Sequence, residues 1–233
     1  MRFLALVRKE FREALPWLLL AGLLLLAVGA LELRSEAEYA QARLSQPPRF
    51  SSGSAVIQEY ELTRPHLLSG PATWLCLIAP GLGLALGIRH FWVPLYARTW
   101  SFLLHRSVHR RTILFAKCVA AVLAFVVSLG VVWTALYGYA RRPEVFVVPT
   151  PARDLVTGWL YIALGLVVYF GTALSALTAA RWYTTRIFGL LFAGLATLTI
   201  VSQWNLAWGV ALLVLTLLIL VSQTVAAFLD REF

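Results

Sequence analysis

Long apolar stretches without a charged residue are the feature that most constrains how this chain can fold. The 233 residues are 60% hydrophobic and only 13% charged, whereas soluble domains are about half apolar and about a quarter charged. A helix needs about 20 residues to cross a hydrocarbon core of about 30 Å, and the apolar stretches have that length. The sequence therefore predicts an all-α polytopic membrane protein that forms a single transmembrane domain.

Six apolar stretches are candidates for spanning helices. The last apolar block, 187–229, would be about twice the bilayer thickness as one helix, so a break at 202–205 is expected to make it a hairpin. The predicted spans are residues 16–33, 72–92, 111–139, 155–180, 186–202 and 205–229. Two longer connections remain, an external loop at 34–71 and a cytoplasmic segment at 93–110.

The external loop at 34–71 begins with a helical pattern that continues out of the first span, and a turn-rich stretch follows it. Two interpretations of the loop stay open. It can be a small external cap, or it can contact a substrate.

Lys and Arg residues indicate the orientation, because basic residues in short loops stay on the cytoplasmic side. With the N-terminus inside, thirteen of the twenty Lys and Arg residues and four of the eleven acidic residues fall in cytoplasmic segments. The whole formal charge of +9 then lies on one face. The sequence therefore predicts that both termini are cytoplasmic.

Residues 1–15 have the pattern of an amphipathic helix that lies in the inner membrane interface, followed by a bend at Pro16. The residues assigned to this interfacial helix are Phe3, Val7, Arg8, Lys9, Phe11 and Arg12. A secretory signal peptide is the rival interpretation, since a basic start precedes an apolar run and small residues at 28–30. Glu10 and Glu13 argue against it.

The predicted spans hold little catalytic or ion-binding chemistry. Their centres contain no Asp, Glu, Lys, Arg or His, and Arg89, His90 and Lys117 are expected close enough to the inner face to reach water. Ion-coupled transport is therefore disfavoured. No glycine-rich phosphate loop, cofactor site or paired nucleophile and base is found, which leaves a membrane enzyme as the weakest of the function classes.

A basic segment joins the second and third predicted spans, and four interpretations of it are possible. A metal site on His105 and His109 has no third ligand nearby except His90 and is surrounded by arginines. Nucleic-acid binding is disfavoured for a short patch beside anionic lipid headgroups. A lipid-facing loop and a docking surface for another protein both fit the apolar stripe of Trp100, Leu103 and Leu104.

The order of residues in this segment favours docking. Thr99-Trp100-Ser101-Phe102-Leu103-Leu104 is followed by Val108, Arg110, Ile113 and Lys117. This order resembles the membrane subunits of ABC-2 type transporters, in which a stretch like GTWEFLL, then PVSR, an Ile and a Lys links the second and third spans. The chain departs from that pattern at Arg98, Ser101, Ser107 and His109.

The resemblance implies a permease subunit whose coupling segment, 93–110, docks on a cytoplasmic ATPase subunit. The docking residues it implies are Arg98, Trp100, Leu103, Leu104, His105, Arg106, Val108, His109, Arg110 and Arg111. It further implies a second permease chain, identical or not, in a prokaryotic plasma membrane. ATP would be hydrolysed in the separate subunit, so no catalytic, metal or cofactor residue is expected here, and the cargo is expected to be hydrophobic or amphipathic.

A function of a different class stays open beside transport. The same basic face could belong to a six-span anchoring or assembly subunit that recruits cytoplasmic proteins without moving a cargo.

Overall fold

Helices form every regular element in the part of the chain that the computed structural model describes, which is residues 2–44, 68–97, 109–142, 150–178, 187–203 and 205–230. The first half contains α1 (Arg2–Leu44), α2 (Ser69–Gly87), a first π-helical turn (Ile88–Trp92) and α3 (Val93–Tyr96). The second half contains α4 (Arg110–Phe125), a second π-helical turn (Val126–Gly130), α5 (Val131–Ala140), α6 (Ala152–Leu177), α7 (Phe188–Val201) and α8 (Leu206–Asp230). The predicted all-α class is confirmed for these residues.

Within the described residues, five helical runs are long and apolar enough to cross a membrane. They are Phe3–Glu38, Ser69–Tyr96, Arg110–Ala140, Ala152–Leu177 and Leu206–Asp230. The predicted span at 186–202 corresponds to α7, which is apolar but has 14 residues. At about 1.5 Å per residue it is about 21 Å long, less than a hydrocarbon core of about 30 Å.

The first helix is longer than the sequence pattern predicts. The sequence predicts an interfacial helix at 1–15, a bend at Pro16 and a span at 16–33, but α1 runs as one helix of 43 residues through Pro16. Proline removes one backbone hydrogen bond and need not end a membrane helix when strong helix formers lie on both sides of it. The helix continues past the first predicted span to Leu44. This confirms the helical pattern predicted for the start of the external loop.

The apolar face of residues 3–15 is packed against protein. Phe3 stacks on Phe115 of α4 with ring centroids 5.6 Å apart, and Val7 forms a small buried cluster with Ala116 and Ala120. Those two alanines leave room on α4 for the larger α1 side chains. This face, predicted to lie in the membrane interface, therefore rests on α4.

The α6 helix lies at the centre of the fold. It contacts α2, α7 and α8 extensively, and most of its apolar length is buried. Small residues allow the closest approach, which is between α2 and α6. A Cβ on Gly83 would collide with the backbone oxygen of Gly165, and a Cβ on Gly87 would lie 2.6 Å from the Thr172 Cβ. In a membrane, such close contact between two backbones stabilises a helix pair through van der Waals packing.

Two glycines of α2 provide a matched test of this packing. Gly83→Ala is expected to lower the free energy of unfolding by about 1–3 kcal/mol, because the methyl group would force the two backbones apart. A Cβ on Gly81 would have no heavy atom of the described residues within 4 Å, so Gly81→Ala should be neutral or stabilising by about 0.5–1 kcal/mol. Thermal unfolding of both variants in detergent measures the difference, and equal shifts would contradict the close α2–α6 contact.

Candidate functional site

Four polar side chains from four different elements meet inside the bundle. They are Glu10 of α1, His90 of the first π-helical turn, Lys117 of α4 and Tyr169 of α6, here called the buried polar cluster. Lys117 Nζ lies 2.8 Å from Glu10 Oε1, and His90 Nε2 lies 3.7 Å from Glu10 Oε2. His90 Nδ1 lies 3.0 Å from the Tyr169 hydroxyl oxygen.

Burial sets this cluster apart from an ordinary surface ion pair. His90 and Lys117 are each 2% exposed and Tyr169 is 0% exposed, while the Glu10 side chain is 13% exposed. The expectation that His90 and Lys117 reach water is therefore wrong, because α1 and α6 cover them. Arg89 does keep a partly exposed side chain, at 39%.

The geometry favours one arrangement of protons. If Nδ1 of His90 carried the proton, the bare Nε2 lone pair would face the Glu10 carboxylate. If Nε2 carries it, an N–H points toward that carboxylate and Nδ1 accepts a hydrogen bond from the Tyr169 hydroxyl. The second tautomer satisfies more groups, so the polar chain runs from Tyr169 through His90 toward Glu10. The Lys117 carbonyl oxygen, at 3.4 Å, is the other acceptor near that hydroxyl.

A second carboxylate, Glu13, lies one helical turn further along α1 and also contacts the π-helical turn. Glu13 Oε2 lies 3.4 Å from Arg89 Nη2, and its other oxygen is 3.8 Å from Lys9 Nζ. Two buried nitrogens on the π-helical turn, Arg89 Nε and His90 Nε2, have no hydrogen-bond partner among the described residues. The π-helical turn thus presents more donor groups to α1 than the two carboxylates of α1 satisfy in this arrangement.

Local backbone geometry explains why these residues meet. Glu10 and Glu13 are three residues apart, so they share one face of α1. Arg89 and His90 are adjacent on the π-helical turn, where Arg89 contacts Glu13 of α1 and His90 contacts Tyr169 of α6. Such turns are short, rare insertions in helices and often occur at functional sites.

The cluster lies near one end of the spanning helices. From Glu13 to Glu32, the next charged residue of α1, there are 19 positions, about 28 Å at about 1.5 Å per residue. That length is close to a hydrocarbon thickness of about 30 Å. From this length we expect the cluster at the level of a membrane boundary, with protein rather than water around most of it.

The chemistry of the cluster is that of a connection between helices. A carboxylate, an imidazole and a hydroxyl follow one another in this order, and the Tyr169 side chain at the end of the series is fully buried. Among the described residues, no three side chains of the metal-binding types come together. Buried ionisable groups in a membrane protein are functional candidates by default, and these four join α1 to three other elements.

The predicted docking residues fall largely outside the part of the chain that the structure describes. Arg98, Trp100, Leu103, Leu104, His105, Arg106 and Val108 lie there. His109, Arg110 and Arg111 are described, and all three are exposed at the start of α4. The His109 carbonyl accepts hydrogen bonds from the backbone N–H groups of Thr112 and Ile113, at 2.9 and 3.3 Å.

The residues predicted for the interfacial helix divide between two surfaces. Val7 is buried, Phe3 and Phe11 are partly buried, and all three pack on hydrophobic clusters of the bundle. Arg8, Lys9 and Arg12 are exposed on the opposite side. The two sides of this part of α1 therefore differ in burial, and protein covers the apolar side.

An apolar groove of about 660 Å³ opens at the same end of the bundle. It lies between α3 with its preceding π-helical turn on one side and the ends of α6 and α7 on the other. Trp92 and Tyr96 stack along it with ring centroids 5.9 Å apart. The lining residues are Leu84, Ile88, Trp92, Val93, Tyr96, Ala97, Thr172, Ser175, Ile187 and Leu190.

Sequence reasoning misses the buried polar cluster because its members lie on separate segments of the chain. The pattern places Glu10 on a surface helix, and Tyr169 carries no charge at neutral pH. The signal that could have found the cluster is the spacing of Glu10 and Glu13 on one face, opposite His90 and Lys117 at the ends of two spans. Pairing them requires knowing that α1 packs against both spans.

The chain matches no protein-family model, no curated protein and no solved structure.

Disrupting the Glu10–Lys117 ion pair tests how much the cluster stabilises the fold. Glu10→Met alone should lower the free energy of unfolding by about 3–5 kcal/mol, because it removes one side of a buried ion pair. Lys117→Met should cost less, because His90 lies near the other Glu10 carboxylate oxygen. The double variant should cost much less than the sum of the two. Arg34→Ala, which removes the exposed Arg34–Glu38 pair, is the control and should have no measurable effect. Additive losses in the double variant, measured by unfolding in detergent, would contradict this coupling.

Proposed function

We propose that this chain is the membrane-spanning permease subunit of an ABC-2 type transporter, driven by a separate cytoplasmic ATPase. The observation that carries the proposal is the order of residues from Thr99 to Lys117, which resembles the segment that docks on the ATPase in that family. A transporter powered in this way needs no phosphate loop and no ion-binding carboxylate of its own at mid-membrane depth.

The described geometry supports a mechanical role for this end of the bundle. The predicted docking segment falls between α3 and α4 in the chain, and Arg110 and Arg111 at its end are exposed. His90 and Lys117 lie on the two helical runs that flank it, and both approach Glu10 of α1. A force on the segment would therefore reach α1 through the buried polar cluster.

The proposal includes six spans with both termini in the cytoplasm of a prokaryotic cell. The sixth crossing is α7, whose 14 residues would be accommodated by thinning of the bilayer or by flanking residues. Two permease chains would enclose the path. The apolar lining of the groove beside Trp92 agrees with a hydrophobic or amphipathic cargo.

An anchoring subunit that recruits cytoplasmic proteins is the second candidate. The exposed basic start of α4 favours it as much as it favours ATPase docking. A bound ATPase with nucleotide-stimulated cargo movement separates the transporter from this candidate.

The proposed topology predicts that Ser35 and His109 are on opposite sides of the membrane. Both are exposed, so a single cysteine at either position, with Cys76 and Cys118 replaced by alanine, should react with a membrane-impermeant maleimide that reaches its side. Ser35→Cys should label when the reagent is outside the plasma membrane, and His109→Cys should label only in inverted vesicles. Labelling of both cysteines from the outer side would refute the orientation.

Charge reversal tests docking at the described end of the segment. Arg111→Glu should reduce the amount of ATPase subunit that co-purifies with the detergent-solubilised chain several-fold, because acidic groups on the partner would be repelled. Arg142→Glu is the matched control, since Arg142 is also exposed and lies beyond the other end of the same helical run. Loss of the ATPase in both variants, or its absence from the wild-type preparation, would contradict the proposal.

A further inference from the structure

The N-terminal part of α1 has two possible partners for one carboxylate. Glu10 is bonded to Lys117 on α4 at 2.8 Å, while His90 on the π-helical turn lies 3.7 Å from the other carboxylate oxygen. A hydrogen bond needs about 2.7–3.2 Å between donor and acceptor atoms, so His90 Nε2 lies near Glu10 but is not hydrogen-bonded to it. Buried polar atoms without a partner are rare in folded proteins and call for a physical explanation.

A second unsatisfied donor lies on the same element. Arg89 Nε is buried without a partner among the described residues, and Glu13 contacts Nη2 of that guanidinium, at 3.4 Å. A shift of residues 3–15 toward the π-helical turn would bring Glu10 onto His90 and Glu13 fully onto Arg89. Because Lys117 lies on α4 and His90 on the π-helical turn, we expect the same shift to lengthen the Glu10–Lys117 contact. One displacement thus satisfies both nitrogens and loosens the bond to α4.

Pro16 is placed where such a displacement can originate. It follows residues 3–15 directly and lacks the backbone N–H that would bond to the preceding turn. Beyond Pro16 the helix is fixed by close packing. A Cβ on Gly22 would lie 3.1 Å from the Ser128 carbonyl oxygen, and one on Gly29 would lie 2.5 Å from Leu136 Cδ1.

We propose that residues 3–15 form an arm that pivots at Pro16 between two positions, with Glu10 bonded to Lys117 in one and to His90 in the other. The structure holds the first position, in which Val7 rests on Ala116 and Ala120. In the second, the arm leaves α4 and approaches the π-helical turn. This device belongs to the chain itself and does not depend on the transport function.

Disulfide cross-linking in nanodiscs measures which position the arm occupies. Val7→Cys and Ala120→Cys, in a chain with Cys76 and Cys118 replaced by alanine, should cross-link rapidly because the two sites share one buried cluster. Adding Lys117→Met removes the first partner and should slow the cross-link several-fold. Adding His90→Phe instead removes the second partner and should leave the rate unchanged or raise it.

Two controls distinguish a pivot of the arm from a folding defect. A cross-link between Gly29→Cys and Leu136→Cys, beyond the pivot, should form at the same rate with and without Lys117→Met. Pro16→Ala restores the missing backbone hydrogen bond and should reduce the effect of Lys117→Met on the Val7–Ala120 pair. The proposal is overturned if Lys117→Met leaves that pair unchanged, if His90→Phe slows it equally, or if both pairs fail together.

Discussion

Helices in hydrocarbon gain little by moving apolar side chains from lipid to protein, so this bundle must be held by close packing and by polar contacts. Close packing holds the α2–α6 pair together. Gly83 and Gly87 bring the α2 backbone against Gly165 and Thr172 so closely that a methyl group does not fit. The last two helices, α7 and α8, also pack on α6, so α6 connects them to α2.

The first helix is held differently, because much of its apolar surface faces outward. Its central part relies on Gly22 and Gly29 against the second π-helical turn and α5. Its N-terminal part relies on Glu10, whose ion pair with Lys117 is shielded from water. A polar contact of this kind is directional, and it can be exchanged for a nearby alternative. Close packing of one backbone against another has no alternative partner of this kind.

Sequence patterns predict the helical class and the location of five long helices well, because charge-free length is a local property. They do not predict that α1 runs through Pro16, since a single lost hydrogen bond competes there with strong helix formers on both sides. They do not reveal the buried polar cluster either. Glu10 and Lys117 are 107 positions apart, and no local pattern records that α1 lies beside α4. The resemblance of the basic segment rests on residue order, and the described structure adds only its end at His109 to Arg111.

The buried polar cluster joins the two helical runs that flank the basic segment in the chain. His90 belongs to the helical run that precedes the basic segment, and Lys117 belongs to the run that follows it. In a transporter of the kind proposed, a partner that moves this segment would change the separation between those two runs. Glu10 is bonded to one run and lies near the other, so such a change alters its preferred partner. A single carboxylate on α1 would then convert a change in the separation of two helical runs into a displacement of the arm that carries Arg8, Lys9 and Arg12.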